Sequence, residues 1–239
     1  MKSSFSRRVI DRRRALGLIA ATATGGVFIS ASAFLRSQPA AAANLITGAG
    51  VCAIMPETTA GPFYFDPALQ RTDITEGRPG VPLRLRIQVV DAGCKPIGGA
   101  RVDIWHCDAQ GIYSGYPQQL GGLDTTGETF LRGTMLAGDD GIAEFTTIYP
   151  GWYPGRTPHI HFKAFPDQAR VLTGQLFFPD DISREIYGTV APYNDRDAGQ
   201  MTPTDRDGIA RRAGETAHAK LARAGETLEA ALVVAVAEG

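Results

Sequence analysis

Three cysteines in 239 residues, Cys52, Cys94 and Cys107, are too few for a small domain built on a disulfide framework. Histidine is also scarce, with four in the chain. After residue 50 there is no internal repeat, low-complexity tract or evident linker, so a single domain is expected over residues 44–239. With 44% hydrophobic and 21% charged residues, the composition excludes a disordered, collagen-like or coiled-coil chain. An excess of either charge sign is also missing overall, since the formal net charge is −1.

That balance hides an uneven distribution. Residues 1–43 hold seven of the 24 Lys and Arg side chains but one of the 25 Asp and Glu, which leaves 17 basic and 24 acidic groups beyond. An acidic body repels phosphate backbones, so nucleic acid is not an expected partner. The basic start, with Arg7-Arg8 and Arg12-Arg13-Arg14, leads into a mostly apolar run from Leu16 to Leu35 and then the tract Ala40-Ala41-Ala42-Ala43. This order is that of a removable export signal, and the paired arginines resemble the twin-arginine type. Gly17, Gly25 and Gly26 keep the run too weakly hydrophobic for a stable membrane span. Cleavage near Ala43, handling by the twin-arginine export machinery and a periplasmic or extracellular destination are expected. An oxidising destination allows one disulfide and one remaining thiol among the three cysteines, with the pairing left open.

The body is β-rich in texture. Residues 82–90, PLRLRIQVV, alternate apolar and polar side chains with the period of a half-buried strand. Further strands are expected at 100–106, 141–148, 160–165, 174–178 and 228–236, with much of the glycine and proline in the connections. The fold class expected is mainly β, a sandwich core with long loops and little helix. Residues 209–224 are Ala-rich but broken by Gly214, and their state stays open.

Chemistry concentrates in Tyr149-Pro150-Gly151-Trp152-Tyr153-Pro154-Gly155-Arg156-Thr157-Pro158-His159-Ile160-His161. On a strand, positions i and i+2 share a face, so His159 and His161 project side by side as a candidate metal-binding pair. Tyr153 sits in Pro-Gly turn chemistry, which suits a phenol aimed into a site. Asp108 and His106 are rival candidate ligands.

Four stretches in fixed order resemble the intradiol ring-cleavage dioxygenases, the catechol and protocatechuate dioxygenase family. They are Pro56–Tyr64 (T-x-G-P-[FY]), Val102–Tyr113 (V-x-[IV]-W-x5-G-x-Y), Pro150–Tyr153 with Arg156-x-x-His159-x-His161, and Gln175. The resemblance implies a β-sandwich and one non-haem Fe(3+) per chain, held by Tyr113, Tyr153, His159 and His161. It further implies cleavage of a catechol-type aromatic diol between its two hydroxylated carbons, with O2, to a muconate-type dicarboxylate. Arg156 would face the reacting ring, Gln175 would orient groups beside the iron, Tyr153 would double as a local base, and Thr59, Gly61 and Pro62 would line the substrate pocket. Phenolate oxygens are hard anionic donors that favour the ferric state. Two other classes compete: an exported sandwich-shaped binding module for an aromatic or sugar ligand, and a zinc hydrolase built on His159 and His161. Arg84, Arg86, Lys163 and Arg170 are the basic residues considered for a substrate carboxylate.

Overall fold

The computed structural model describes residues 52–66 and 68–237, so the expected export signal and its cleavage point lie outside the described residues. The alternating run at 82–90 forms β1 (Pro82–Val90), with Leu83, Leu85, Ile87 and Val89 buried and Arg84 exposed. The other strands are β2 (Arg101–Trp105), β3 (Arg132–Leu136), β4 (Ile142–Ile148), β5 (His159–Phe165), β6 (Leu172–Phe177), β7 (Lys220–Ala224) and β8 (Thr227–Ala235). Two short helices, α1 (Asp180–Thr189) and α2 (Gly208–Ala213), sit in the β6–β7 connection. The architecture is mainly β, as the sequence pattern predicts.

The strands form two four-stranded sheets, ordered β4-β1-β8-β7 and β3-β2-β5-β6. The second sheet is antiparallel throughout, whereas β1 runs parallel to β8 in the first. Leu85, Ile87, Phe145 and Leu232 from one sheet share a buried cluster with Val102, Ile104, Ile160, Phe162 and Leu176 from the other. Burying each such side chain contributes roughly 1.5–3 kcal/mol, which makes this apolar layer the main source of stability.

Strands β3 and β7 are absent from the sequence-based expectation. Residues 209–224, left open there, divide into α2, a turn of 3-10 helix at Glu215–Ala217 and β7. Cys52 pairs with Cys94 in a disulfide, and Cys107 is free and buried. The disulfide tethers residue 52 to the β1–β2 turn. From there the chain bonds β8 through the Met55 amide and the Ala235 carbonyl, then β6 through the Thr58 amide and the Thr173 carbonyl. It ends across β3, where Arg132 donates to the carbonyl of Phe63. The part of segment 52–66 from Thr58 onward is thereby carried onto the outer face of the second sheet. Among the described residues no helix is long and apolar enough to cross a membrane.

Candidate metal centre

Strand alternation on β5 sends Ile160, Phe162 and Ala164 into the sandwich and His159 and His161 to the opposite face. Register then supplies the neighbours. His161 lies opposite Trp105 on β2 and Gln175 on β6, and His159 lies opposite Phe177. Trp105 stacks on His161 with centroids 4.9 Å apart and planes 10° from parallel, which fixes the imidazole plane.

Two loops bring the phenols. After β2 the Asp108 carboxylate accepts from the amides of Gln110 (2.9 Å) and Ile112 (3.0 Å), closing a turn that returns the chain at Tyr113. Asp108 is therefore a loop builder, and its rivalry as a ligand ends there. The β4–β5 loop is held against that turn by Gly151, where a Cβ would come within 2.3 Å of the Asp108 carbonyl oxygen, so only glycine permits the approach. This contact sets Tyr153 beside Tyr113, with ring centroids 5.8 Å apart.

The four side chains meet at one focus. Tyr153 Oη is 3.0 Å from His159 Nε2, and the two histidine Nε2 atoms face each other at 3.1 Å. The Tyr113 ring is 6.1 Å from that of His161 and stacks on Phe63 at 4.3 Å. His159 Nδ1 donates to the Thr157 carbonyl at 2.6 Å, which leaves the Nε2 lone pair directed at the focus. Among the described residues five buried side-chain N or O atoms lack a hydrogen-bond partner. Three of them, Tyr113 Oη, His161 Nδ1 and Trp105 Nε1, belong to this cluster. A buried phenol oxygen without a partner, beside two converging imidazole nitrogens, is costly unless something else binds there.

Burial also sets the protonation states. It pushes the Tyr153 phenol up to about 12 and Tyr113 well above the usual phenol range. It pushes His159 down to about 3 and His161 well below the usual imidazole range, with the Arg156 charge adding to both. The imidazoles are thus neutral and able to act as ligands. Fully buried His106, the other rival, is committed elsewhere: Nδ1 bonds the Cys107 carbonyl (2.8 Å) and Nε2 the Thr147 hydroxyl (2.7 Å).

Arg156 is aimed at the same focus, its Nη1 lying 3.5 Å from His159 Nε2. Its Nη2 donates to Gln175 Oε1, and Gln175 Nε2 in turn donates to the Thr59 carbonyl at 2.9 Å. Gly61, with φ +66°, lies along the His161 ring, where a Cβ would sit 3.4 Å from Cε1. Thr59, Gly61 and Pro62 are all exposed. Thr59 and Gly61 therefore form the rim, and no contact ties Pro62 itself to the cluster among the described residues. Of the basic residues considered for a substrate carboxylate, only Lys163 shares the histidine face of β5, its Nζ 4.0 Å above the Tyr64 ring. Arg84 lies on the other sheet, on strand β1 with Arg86, and Arg170 pairs with Asp167.

Sequence reasoning missed Asp207. Its carboxylate accepts from Arg156 Nε (2.8 Å) and the Thr157 amide (3.0 Å), and its other oxygen caps α2 through the amides of Ile209 (2.7 Å) and Ala210 (3.2 Å). Burial alone would raise this carboxyl; the bonds from Arg156 and the amides outweigh it and hold the group below the ordinary carboxylate range. The available signal was an Asp just before a helix-forming stretch, which marks a cap but not an arginine partner.

A family model described as "Dioxygenase" matches residues 59–190, which hold all four converging side chains together with Arg156 and Gln175. Catechol 1,2-dioxygenase 1 of Acinetobacter lwoffii is 30% identical over 152 residues, 53% of this chain and 47% of that protein. The protocatechuate 3,4-dioxygenase beta chain of Burkholderia cepacia is 37% identical over 117 residues, 43% of this chain and 48% of that one. The chain thus spans about half the length of the curated relatives it matches. The solved structure of an intradiol ring-cleavage dioxygenase from Tetranychus urticae matches with a TM-score of 0.70 at 34% identity, covering 77% of this chain and 94% of that one. With the loop-borne tyrosines and the histidine pair all in the region matched by the family model, and with a solved relative 34% identical over 77% of this chain, the chain belongs to the intradiol ring-cleavage dioxygenase family.

Proposed function

We propose that this protein is an iron(III)-dependent dioxygenase that opens the ring of a catechol-type diol between its hydroxylated carbons. The reaction balances by simple addition. One molecule of catechol and one of O2 give one molecule of a muconate-type diacid that keeps every atom of both, so no external reductant is needed. The observation that carries this function is the convergence of two phenols and two neutral imidazoles around an unsatisfied buried phenol oxygen. That donor set fits ferric iron: two phenolates offset most of its charge, and the imidazoles complete a mixed oxygen and nitrogen set. Among the described residues no three His, Cys, Asp or Glu side chains gather as a metal site, so the tyrosines are needed to complete any such centre. Tyr113, Tyr153, His159 and His161 would hold one iron. When bound, iron(III) would withdraw electron density from a chelating diol and make its ring reactive toward O2.

The chain's own residues supply the rest. Tyr113, fully buried against Phe63, is the fixed phenol. Tyr153 is only partly buried, beside exposed Pro154 and Gly155, and as the phenolate that holding iron would make it, it would be placed to accept at Oη a proton from a substrate hydroxyl. Arg156 directs a fixed positive charge at the focus, where negative charge on the diol ring would develop. Gln175 holds that guanidinium and ties it to the rim through Thr59. Phe63, Tyr64, Trp105 and Tyr116 make the surroundings aromatic, which suits a planar ring and excludes water.

The proposal extends to compartment. The N-terminal signal pattern and the Cys52–Cys94 disulfide both support export, followed by removal of residues 1–43 to leave one catalytic domain. The function is tested by loading the purified protein with ferric iron and supplying catechol and isotopically labelled O2. A diacid carrying both labelled atoms is expected. Absence of turnover across catechol, hydroxylated and carboxylated catechols would overturn it.

A further inference from the structure

Arg156 reaches the focus from a short loop, and a guanidinium on a flexible stem aims nowhere unless something holds it. Gln175 holds one end, through Nη2. The other holder comes from a distant part of the chain. Asp207, 51 residues away in sequence, receives Arg156 Nε, and its side chain is 1% exposed against 18% for Arg156. The same oxygen receives the Thr157 amide, and the carbonyl of Thr157 is the acceptor that fixes His159 Nδ1. One buried carboxylate therefore orients the cation at the site and also holds the residue whose carbonyl sets the tautomer of an imidazole. Its second oxygen is spent on the α2 cap, so Asp207 cannot swing away without leaving helix amides unpaired.

We infer that Asp207 is a positioning residue for the ring-opening reaction, acting through Arg156 rather than on substrate or metal. The inference rests on the dioxygenase function proposed above and adds a residue to it. An aspartate is required because all four groups that its two oxygens meet are donors. An asparagine could keep the α2 cap with its carbonyl oxygen but would turn an NH2 toward Arg156 Nε–H and the Thr157 amide.

The test is Asp207→Asn in the full-length ferric protein, compared with wild type, Arg156→Met and the double variant. Expected for Asp207→Asn are wild-type iron content, a retained visible charge-transfer band that still shifts with catechol, and a KM for catechol within about twofold of wild type. Its kcat falls about 10- to 100-fold, the scale of a misaligned charge at a reacting centre. The double variant should be no slower than Arg156→Met alone, since the aspartate acts through that arginine. Asp207→Ser is the second arm, because a serine hydroxyl still caps α2 but is too short to reach Arg156; it should show the same kcat loss. Unchanged kcat in both variants, losses that add to that of Arg156→Met, or iron content falling in step with kcat would each overturn the inference. A wild-type protein with neither band nor turnover overturns the dioxygenase function and the Asp207 role with it, whereas a normal wild type beside an unaffected Asp207→Asn overturns the Asp207 role alone.

Discussion

The outer faces of the two sheets are built by the same strand alternation and end in opposite environments. On the first sheet the outward positions where β1 meets β4 carry Arg84 and Glu144, 54% and 45% exposed, in a loose 3.6 Å ion pair open to water, while Gln88 and Glu229 on the same face are buried. On the second sheet the outward positions of β5 carry His159 and His161, 2% and 1% exposed. The difference lies in the cover. Residues 58–66, the turn built by Asp108 and the loop carrying Tyr153 close over the second sheet. Strand alternation only decides which way a side chain points; the connections decide whether that direction is solvent or a site. Electrostatic interactions gain strength on the covered face because water no longer screens them.

Substitutions at neighbouring positions sharpen this contrast. The largest expected effect comes from His161→Ala beside Phe162→Ala, adjacent residues on opposite faces of β5. His161→Ala should remove nearly all bound iron and turnover while the fold survives, checked by metal analysis and thermal unfolding of the metal-free protein. Phe162→Ala should lower stability by about 3–5 kcal/mol through a core cavity, read by denaturant unfolding. If His161→Ala proved as unfolding as Phe162→Ala yet kept its iron, the histidine face would be core and not site. At the small end, Glu144→Ala should change stability by no more than about 0.5 kcal/mol, because its loose pair with Arg84 is open to water and gains little there. A loss of 2 kcal/mol or more, a rough threshold well above surface-pair values, would show that this part of the first sheet's outer face is not the simple solvent surface described.

What could be read from the sequence follows how local each signal is. Strands β1, β4, β5 and β8 were visible because apolar spacing or Val-rich composition belongs to the strand itself. Strand β3 was not: Arg132-Gly133-Thr134-Met135-Leu136 begins with an arginine that is buried, bonded to Ser114 and the Phe63 carbonyl, and so breaks the expected alternation. Strand β7 is a short edge strand, Lys220-Leu221-Ala222-Arg223-Ala224, in which small and charged residues carry little strand character. At the site, the H-x-H pair could be picked out from spacing on one strand, whereas the role of Arg156 came from the family pattern. Tyr113 needed the family pattern, since nothing within its own loop says that its ring will stand against an imidazole from β5. The pairing of Cys52 with Cys94 and the contact of Asp207 with Arg156 join residues 42 and 51 apart, and only the closed sandwich brings such partners together.

The most direct measurement is the visible absorption of the ferric protein, titrated with catechol and compared with Tyr113→Phe and His161→Ala. A red-brown tyrosinate-to-iron(III) band that shifts on adding catechol, is weakened in Tyr113→Phe and is lost in His161→Ala is the expected result. A colourless ferric-treated wild type, or a band indifferent to both substitutions, would contradict the claim that these side chains hold one iron.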